Sequence, residues 1–210
     1  MIASESTKST AELADAGREF YRRGWVLGTS GNFSMLTSSD PLRVMITASG
    51  LEKGKLDETS FLELGEDSEM IRGLGKPSAE TEIHHTIYRA RPDAGAVLHT
   101  HSVWGTILSD EFFDHGAIEI EGYEMLKGLS GVMTHEHKEI VPIIPNSQDY
   151  AALSLQIETL LRDRSEIHGF YLRRHGLYTW GETVADARRH VEIFEFLFEV
   201  IGRSGVRDRR

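Results

Sequence analysis

Hydrophobic positions along this chain follow two periods, one typical of strands and one typical of helices. Short apolar runs bounded by Gly, Pro, Ser or Asn predict strands. These runs lie at residues 32–36, 43–48, 61–65, 68–73, 96–101, 117–121, 139–144, 169–174 and 177–181. Apart from the strand-like run at 117–121, the hydrophobic pattern between residues 112 and 138 is ambiguous, and YEMLKG in this range is typical of a short helix. The strands alone predict a large sheet.

Longer segments with apolar residues three and four positions apart predict helices. These segments lie at residues 10–23, 78–91, from 102 onward, 147–161 and 183–202. Ser78 stands where an N-cap is expected. The last segment has two apolar rows, which predicts burial both by the sheet and by a neighbouring subunit. Paired strands with covering helices indicate one three-layer α/β/α domain over residues 1–210.

Composition narrows the class of protein. The chain has 210 residues, 40% of them hydrophobic, and no cysteine, which excludes disulfides and thiolate-bound zinc. The net charge of −10 argues against non-specific nucleic-acid binding, which depends on Lys and Arg. No apolar run approaches the roughly 20 residues of a membrane span, and the first residues lack the pattern of a secretory signal. We therefore expect a cytoplasmic protein that binds neither nucleic acid nor membrane.

Candidate chemistry begins with two histidines at the end of the apolar run AGAVLHTHS. In a strand, His99 and His101 would point to the same side. His175 ends a further strand-like run, beside Gly176. Three neutral imidazoles on Zn²⁺ leave a position open for water or substrate. With the carboxylate of Glu80 on the preceding helix, the pattern predicts a metal-dependent enzyme.

Other histidines weaken any inference from histidine spacing alone. His135 and His137 form a second H-x-H pair, but their segment is polar and is interpreted as solvated. His84 stands four residues after Glu80 and could share a metal, although helix packing or surface exposure is the plainer interpretation. The remaining candidates lie in predicted turns or among charges on the last helix: His115, His168 and His190.

Three loops rich in small and hydroxyl residues are suited to an anion. Glycine lets the backbone approach a ligand closely, and N–H and O–H groups then donate to phosphate oxygens. Ordinary turns have similar composition, so a single loop would indicate little. The loops contribute Thr29, Ser30, Gly31 and Asn32, then Thr47, Ser49 and Gly50, and finally Ser78. Together with the histidines they indicate a small phosphorylated substrate beside a metal, with Lys127 and Arg174 as candidate charge partners.

The motifs GTSGN, TASG, KPSAE, HTHS and RRHG occur in this order, and the chain thereby resembles the class II aldolase/adducin family over about residues 10–203. The resemblance implies an α/β/α sandwich with a mostly antiparallel sheet, often assembled as a homotetramer. It implies one Zn²⁺ per subunit on His99, His101 and His175. It also implies that the three loops hold the substrate phosphate and that Glu80 is an acid/base or an extra metal contact.

Within the family, YEMLKG, VPIIPN and RRHGLYTWG resemble a dehydratase branch that acts on a ketose 1-phosphate with a methylthio group, in methionine salvage. There the glutamate matching Glu124 is the expected acid/base. The aldolases place a tyrosine nearby, often from a C-terminal tail, and GRSGVRDRR contains none. A sugar-phosphate aldolase or epimerase, an adducin-like interaction domain and a zinc hydrolase remain alternatives. Three imidazoles also suit Fe, Co, Ni or Mn.

Overall fold

A computed structural model describes residues 2–208, with side chains described over residues 10–205. The five α-helices of this part are α1 (Ile2–Arg22), α2 (Thr81–Ala90), α3 (Val103–Glu111), α4 (Tyr150–Asp163) and α5 (Val184–Asp208). Its nine strands are β1 (Asn32–Ser39), β2 (Leu42–Thr47), β3 (Phe61–Leu64), β4 (Met70–Arg72), β5 (Ala96–Thr100), β6 (Ala117–Glu121), β7 (Lys138–Ile144), β8 (Gly169–Leu172) and β9 (Gly176–Gly181). Short 3₁₀ helices occur at Lys53–Lys55, Phe113–His115 and Glu124–Gly128.

The strands form one nine-stranded sheet in the order β4-β3-β2-β1-β5-β9-β8-β7-β6. Every neighbouring pair is antiparallel except β7 and β8. Helices α2 and α4 cover one face, where Ile83 and Ile157 join the buried cluster of the sheet. Helices α1 and α5 cover the other face through residues such as Leu13 and Val191. The predicted three-layer sandwich with a mostly antiparallel sheet is confirmed.

Strand direction determines what meets at each end of the sheet. His99 on β5 lies opposite Asn32, which begins β1, and opposite Tyr178 near the start of β9. Strands β7 and β8 run in the direction of β5, whereas β6 runs the other way. The turn after β5 and the turn before β9 therefore share one end, and the segment after β6 lies at the opposite end.

Two helices begin three residues later than predicted, because other polar groups bind the N–H groups at their starts. The helix predicted from Ser78 begins at Thr81, because the Ser78 carbonyl accepts the Thr81 N–H at 3.1 Å in a preceding turn. The helix predicted from residue 147 begins at Tyr150, because the Asp149 carboxylate accepts the Ala152 N–H at 3.1 Å. The helix predicted from residue 102 begins at Val103, and the Ser102 hydroxyl caps it by accepting the Gly105 N–H at 3.1 Å.

Helix α5 is covered only in part by its own chain. Ile193 and Leu197 of its second apolar row are buried, whereas Phe196 is 45% exposed. Burial of this row by a neighbouring subunit stays a prediction. Within residues 2–208, no helix has the length and apolar character that crossing a membrane requires.

Candidate active site

Three imidazoles converge at the end of the sheet where β5 stops. His99 lies near the end of β5, His101 follows the strand, and His175 lies in the tight turn between β8 and β9. Their ligand nitrogens all lie within 4.8 Å of one another. The Nε2 atoms of His99 and His101 are 2.8 Å apart. The trio singled out from sequence is thus brought together by two distant parts of the chain.

Hydrogen bonds on the outer nitrogens orient these rings. His99 donates from Nδ1 to the Leu177 carbonyl at 2.8 Å, and its ring stacks on Tyr178 with centroids 3.9 Å apart. His175 donates from Nδ1 to the Asn146 amide oxygen at 3.1 Å. The Nε2 atoms are left facing the centre of the cluster. Such outer partners are typical of metal-ligating histidines, because they determine the tautomer.

The surroundings keep the three rings close together and hold His99 and His101 in the neutral form. A Cβ on Gly176 would lie 2.5 Å from His99 Cε1, so no larger residue fits in this turn. Burial lowers the pKa of His99, and it lowers that of His101 to about 4. Neutral imidazole is the form that binds a metal, so the donor set fits a divalent ion.

The carboxylate of Glu80 faces this cluster from the turn before α2. Its Oε1 lies 3.0 Å from His175 Nε2, and its Oε2 lies 3.7 Å from His99 Nε2. Asn32 donates from its amide to Oε2 at 2.5 Å. Burial on its own disfavours the charged form, but His99, His175 and the Asn32 amide outweigh it and hold the pKa of Glu80 below its ordinary value. An ionised carboxylate that is only 13% exposed therefore stands beside the histidines.

A chain of buried hydrogen bonds supports Glu80 from behind. Tyr88 and Ser34 hydroxyls are 2.8 Å apart, and the Ser34 hydroxyl donates to Nδ1 of His84 at 2.7 Å. His84 then donates from Nε2 to the oxygen of the Asn32 amide, whose nitrogen donates to Glu80. Burial lowers the pKa of His84 to about 3, so the ring is neutral with its proton on Nε2. The interpretation of His84 as packing or surface missed this role, although its spacing from Glu80 pointed to a link.

The three anion-suited loops meet in a small cavity of about 130 Å³ beside the histidines. Its lining combines loop residues with members of the metal cluster, namely Thr29, Ser30, Gly31, Asn32, Thr47, Ala48, Ser49, Gly50, Lys53, Ser78, Glu80 and His101. All eight residues proposed from sequence for the anion line this one cavity. Sequence reasoning missed Lys53, because this lysine belongs to none of the motifs recognised in the sequence.

Glu124 lies elsewhere. Four strand spacings across the sheet and the length of β5 along it separate Glu124 from the histidine cluster of its own chain, a distance of roughly 25 Å. Its side chain is 70% exposed and pairs with Lys127. Arg174 is also committed elsewhere, since it pairs with Asp110 at 2.7 Å. Within one chain the structure does not bring these three residues to the cavity.

A second histidine group, missed from sequence, lies at the same end of the sheet as Glu124. Glu139 Oε2 is 2.8 Å from His137 Nε2 and 2.9 Å from His168 Nδ1. His168 Nε2 faces the Ser130 carbonyl at 2.8 Å. Burial disfavours the charged form of His168, but its hydrogen bond to Glu139 outweighs this and raises the pKa of His168. The group is a buried ion pair rather than a set of neutral ligands.

Comparisons with known proteins agree on one family. A profile of the Class II Aldolase and Adducin N-terminal domain matches residues 11–201. The chain is 44% identical over 187 residues to methylthioribulose-1-phosphate dehydratase of Marinobacter nauticus, covering 89% of each chain. It is 44% identical over 200 residues to the protein of that name in Methylococcus capsulatus, covering 95% of this chain and 96% of the relative.

Solved structures support the fold. The L-fuculose-1-phosphate aldolase from Thermus thermophilus superposes with a TM-score of 0.78. The superposition covers 98% of this chain and 99% of the aldolase, at 21% sequence identity. At that identity the likeness concerns the fold alone.

Proposed function

Because the chain belongs to the class II aldolase and adducin family, we propose that it is a metal-dependent dehydratase that converts 5-methylthioribulose 1-phosphate to 2,3-diketo-5-methylthiopentyl 1-phosphate and water. The relatives that are 44% identical over most of the chain bear the name of this activity. The observation that supports it best is the position of the anion cavity, which shares Glu80 and His101 with the metal-ligand cluster. A phosphate held there would keep a short sugar chain beside the histidines.

In this proposal His99, His101 and His175 hold one Zn²⁺ per subunit. When bound, such an ion acts as a Lewis acid that polarises a substrate carbonyl. The fit rests on the convergence of the three imidazoles, on the hydrogen bonds that orient His99 and His175, and on the lowered pKa of His99 and His101. The loops at 29–32, 47–50 and Ser78 hold the phosphate through backbone N–H and hydroxyl donors. We place the activity in methionine salvage and in the cytoplasm, which suits a chain without cysteine.

The dehydration needs a base at C3 and an acid at the C4 hydroxyl. The base removes the C3 proton, the C4–O bond breaks with protonation of the departing hydroxyl, and the resulting enol tautomerises to the diketone. Glu80 is ionised and adjacent to the cluster, so it can accept a proton there. The sequence made Glu124 the first choice for the acid/base. Glu124 can take part only in the site of another subunit, because it lies at the end of the sheet opposite the histidine cluster of its own chain.

We therefore propose a homo-oligomer, with four subunits as the family resemblance implies, in which Glu124 enters a neighbour's site. Its exposure leaves it available for this role. Exposed apolar side chains support a subunit contact on the layer formed by α3 and α5, where Val103 is 66% and Phe196 45% exposed. A phosphorylated ketose is the small-molecule partner.

Product analysis tests the reaction. The metal-loaded protein is incubated with 5-methylthioribulose 1-phosphate and, separately, with fuculose 1-phosphate, and the products are identified by mass. Loss of one water from the first substrate alone is expected. Two carbon fragments from either substrate would favour the aldolase alternative, and unchanged substrates would contradict both.

A further inference from the structure

Lys53 is a buried cation at the wall of the anion cavity. It stands in the 3₁₀ helix Lys53–Lys55 and is only 1% exposed. Its Nζ donates to the carbonyl oxygens of Thr29 at 3.1 Å and Leu51 at 2.9 Å. Thr29 belongs to the first of the three loops and Leu51 directly follows the second, so the ammonium ties together the walls of the cavity.

The hydrogen bonds of Lys53 are incomplete. An ammonium group has three donors, and the two carbonyls take two of them. Among the described side chains no carboxylate forms an ion pair with it, and Glu80 acts on it only at longer range. Burial lowers the pKa of Lys53 to about 8, which reflects a charge that lacks a close counter-ion. A buried cation of this kind is costly unless an anion completes it.

Lys53 is also the single Lys or Arg among the residues lining this cavity. The loops supply neutral donors, and the two basic residues considered from sequence pair with Glu124 and Asp110 instead. Apart from the proposed metal, a phosphate in the cavity would otherwise lie beside ionised Glu80 without a positively charged side chain. Charge-assisted hydrogen bonds are about twice as strong as neutral ones.

From this geometry we infer that Lys53 is the charged group that binds the substrate phosphate, donating its third N–H to a phosphate oxygen. This inference rests on the proposed function for the identity of the substrate. It assigns the selection of a phosphorylated over an unphosphorylated sugar to one residue. It also explains why a lysine is buried between two loops without a carboxylate.

The test compares Lys53→Met with Lys55→Met in the metal-loaded protein. Lys55 is two residues away, 78% exposed and paired with Glu52, so it is a matched control. Titration calorimetry with inorganic phosphate should give a Kd that rises roughly 10- to 100-fold in Lys53→Met, as expected for loss of a charge-assisted hydrogen bond, and is unchanged in Lys55→Met. Metal content and circular dichroism should match the wild type in both. Wild-type affinity in Lys53→Met would overturn the inference.

If Lys53→Met fails to fold, a measurement on the wild-type protein still tests the inference. At pH 8.5, phosphate binding should take up a fraction of a proton, measured from calorimetry in two buffers of different ionisation enthalpy, because a bound anion raises the pKa of the ammonium. Binding without proton uptake would contradict a role for Lys53. Phosphate binding needs no turnover, so a protein that binds through Lys53 yet leaves 5-methylthioribulose 1-phosphate unchanged would contradict the proposed function alone.

Discussion

Oε1 of Glu80 lies 3.0 Å from Nε2 of His175. This contact joins the turn before α2 to the turn between β8 and β9, and it puts the ionised carboxylate against a candidate metal ligand. The arrangement ties the proposed base and the proposed metal centre to one another.

Replacement of a ligand should remove the metal. His99→Ala should lose stoichiometric zinc, measured by atomic emission on the purified protein, and turnover with it, because two imidazoles cannot hold the ion as three do. His115→Ala removes an exposed histidine from a 3₁₀ turn and should keep both. Full zinc content in His99→Ala would contradict the proposed ligand set.

Removal of the Glu80 charge should affect the chemistry more than the metal. Glu80→Gln keeps the shape and the contact with Asn32, but it cannot accept a proton. We expect kcat to fall roughly 10²- to 10⁴-fold, the usual contribution of a general base, with zinc content retained. Turnover near the wild-type rate would remove Glu80 from the role of base.

Glu124 should act between subunits. Glu124→Gln and His99→Ala are each expected to be inactive alone, but co-refolded mixtures should regain activity. The mixed oligomer pairs an intact metal site with an intact Glu124 from its neighbour. Activity that stays absent in mixtures shown by native mass spectrometry to be hetero-oligomers would place Glu124 outside catalysis.

His84 should position Glu80 through Asn32. His84→Leu removes the proton that orients the Asn32 amide, so we expect kcat to drop roughly 10- to 100-fold, as for other supporting residues around metal sites. The pH dependence of kcat should shift toward a higher apparent pKa, because Glu80 loses a fixed donor. An unaltered pH profile with reduced kcat would indicate a merely structural role.

Glu195 should lower stability in alkaline solution. It is fully buried against Thr100, and burial raises its pKa to about 7. The folded state therefore binds this proton more tightly than the unfolded state does. Its contribution to stability is complete below the ordinary glutamate pKa and is lost as pH rises through about 7.

Glu195→Gln mimics the protonated carboxyl, so the variant should exceed the wild type in free energy of unfolding at pH 8.5 by on the order of 2–3 kcal/mol. The difference should nearly vanish at pH 4.5. Urea unfolding at equal protein concentrations measures it, with the exposed pair member Glu199→Gln as control. Equal stability of variant and wild type at pH 8.5 would show that Glu195 is accommodated as a carboxylate.

Most of the fold followed from the sequence because its strands and helices have clear periods and clear stops. Helix starts were the weak point, since Ser78 and Asp149 each compete with neighbouring polar residues for the cap. The histidine trio was recognisable because each ring stands at a strand end. Lys53, in contrast, is important because it is buried between two loops, one distant in the sequence and one without a regular period. No local sequence pattern reveals this burial. His168 lies in the turn expected beside Gly169, but its ion pair with Glu139 could not be predicted because Glu139 lies on another strand.

The position of Glu124 at the far end of the sheet has a consequence for inheritance. If each site borrows that residue, a subunit defective only in Glu124 damages its neighbour's reaction rather than its own. A cell producing normal and defective copies together would then assemble mixed particles, in which each faulty copy silences one site of a neighbour while its own site stays active through a normal neighbour's Glu124.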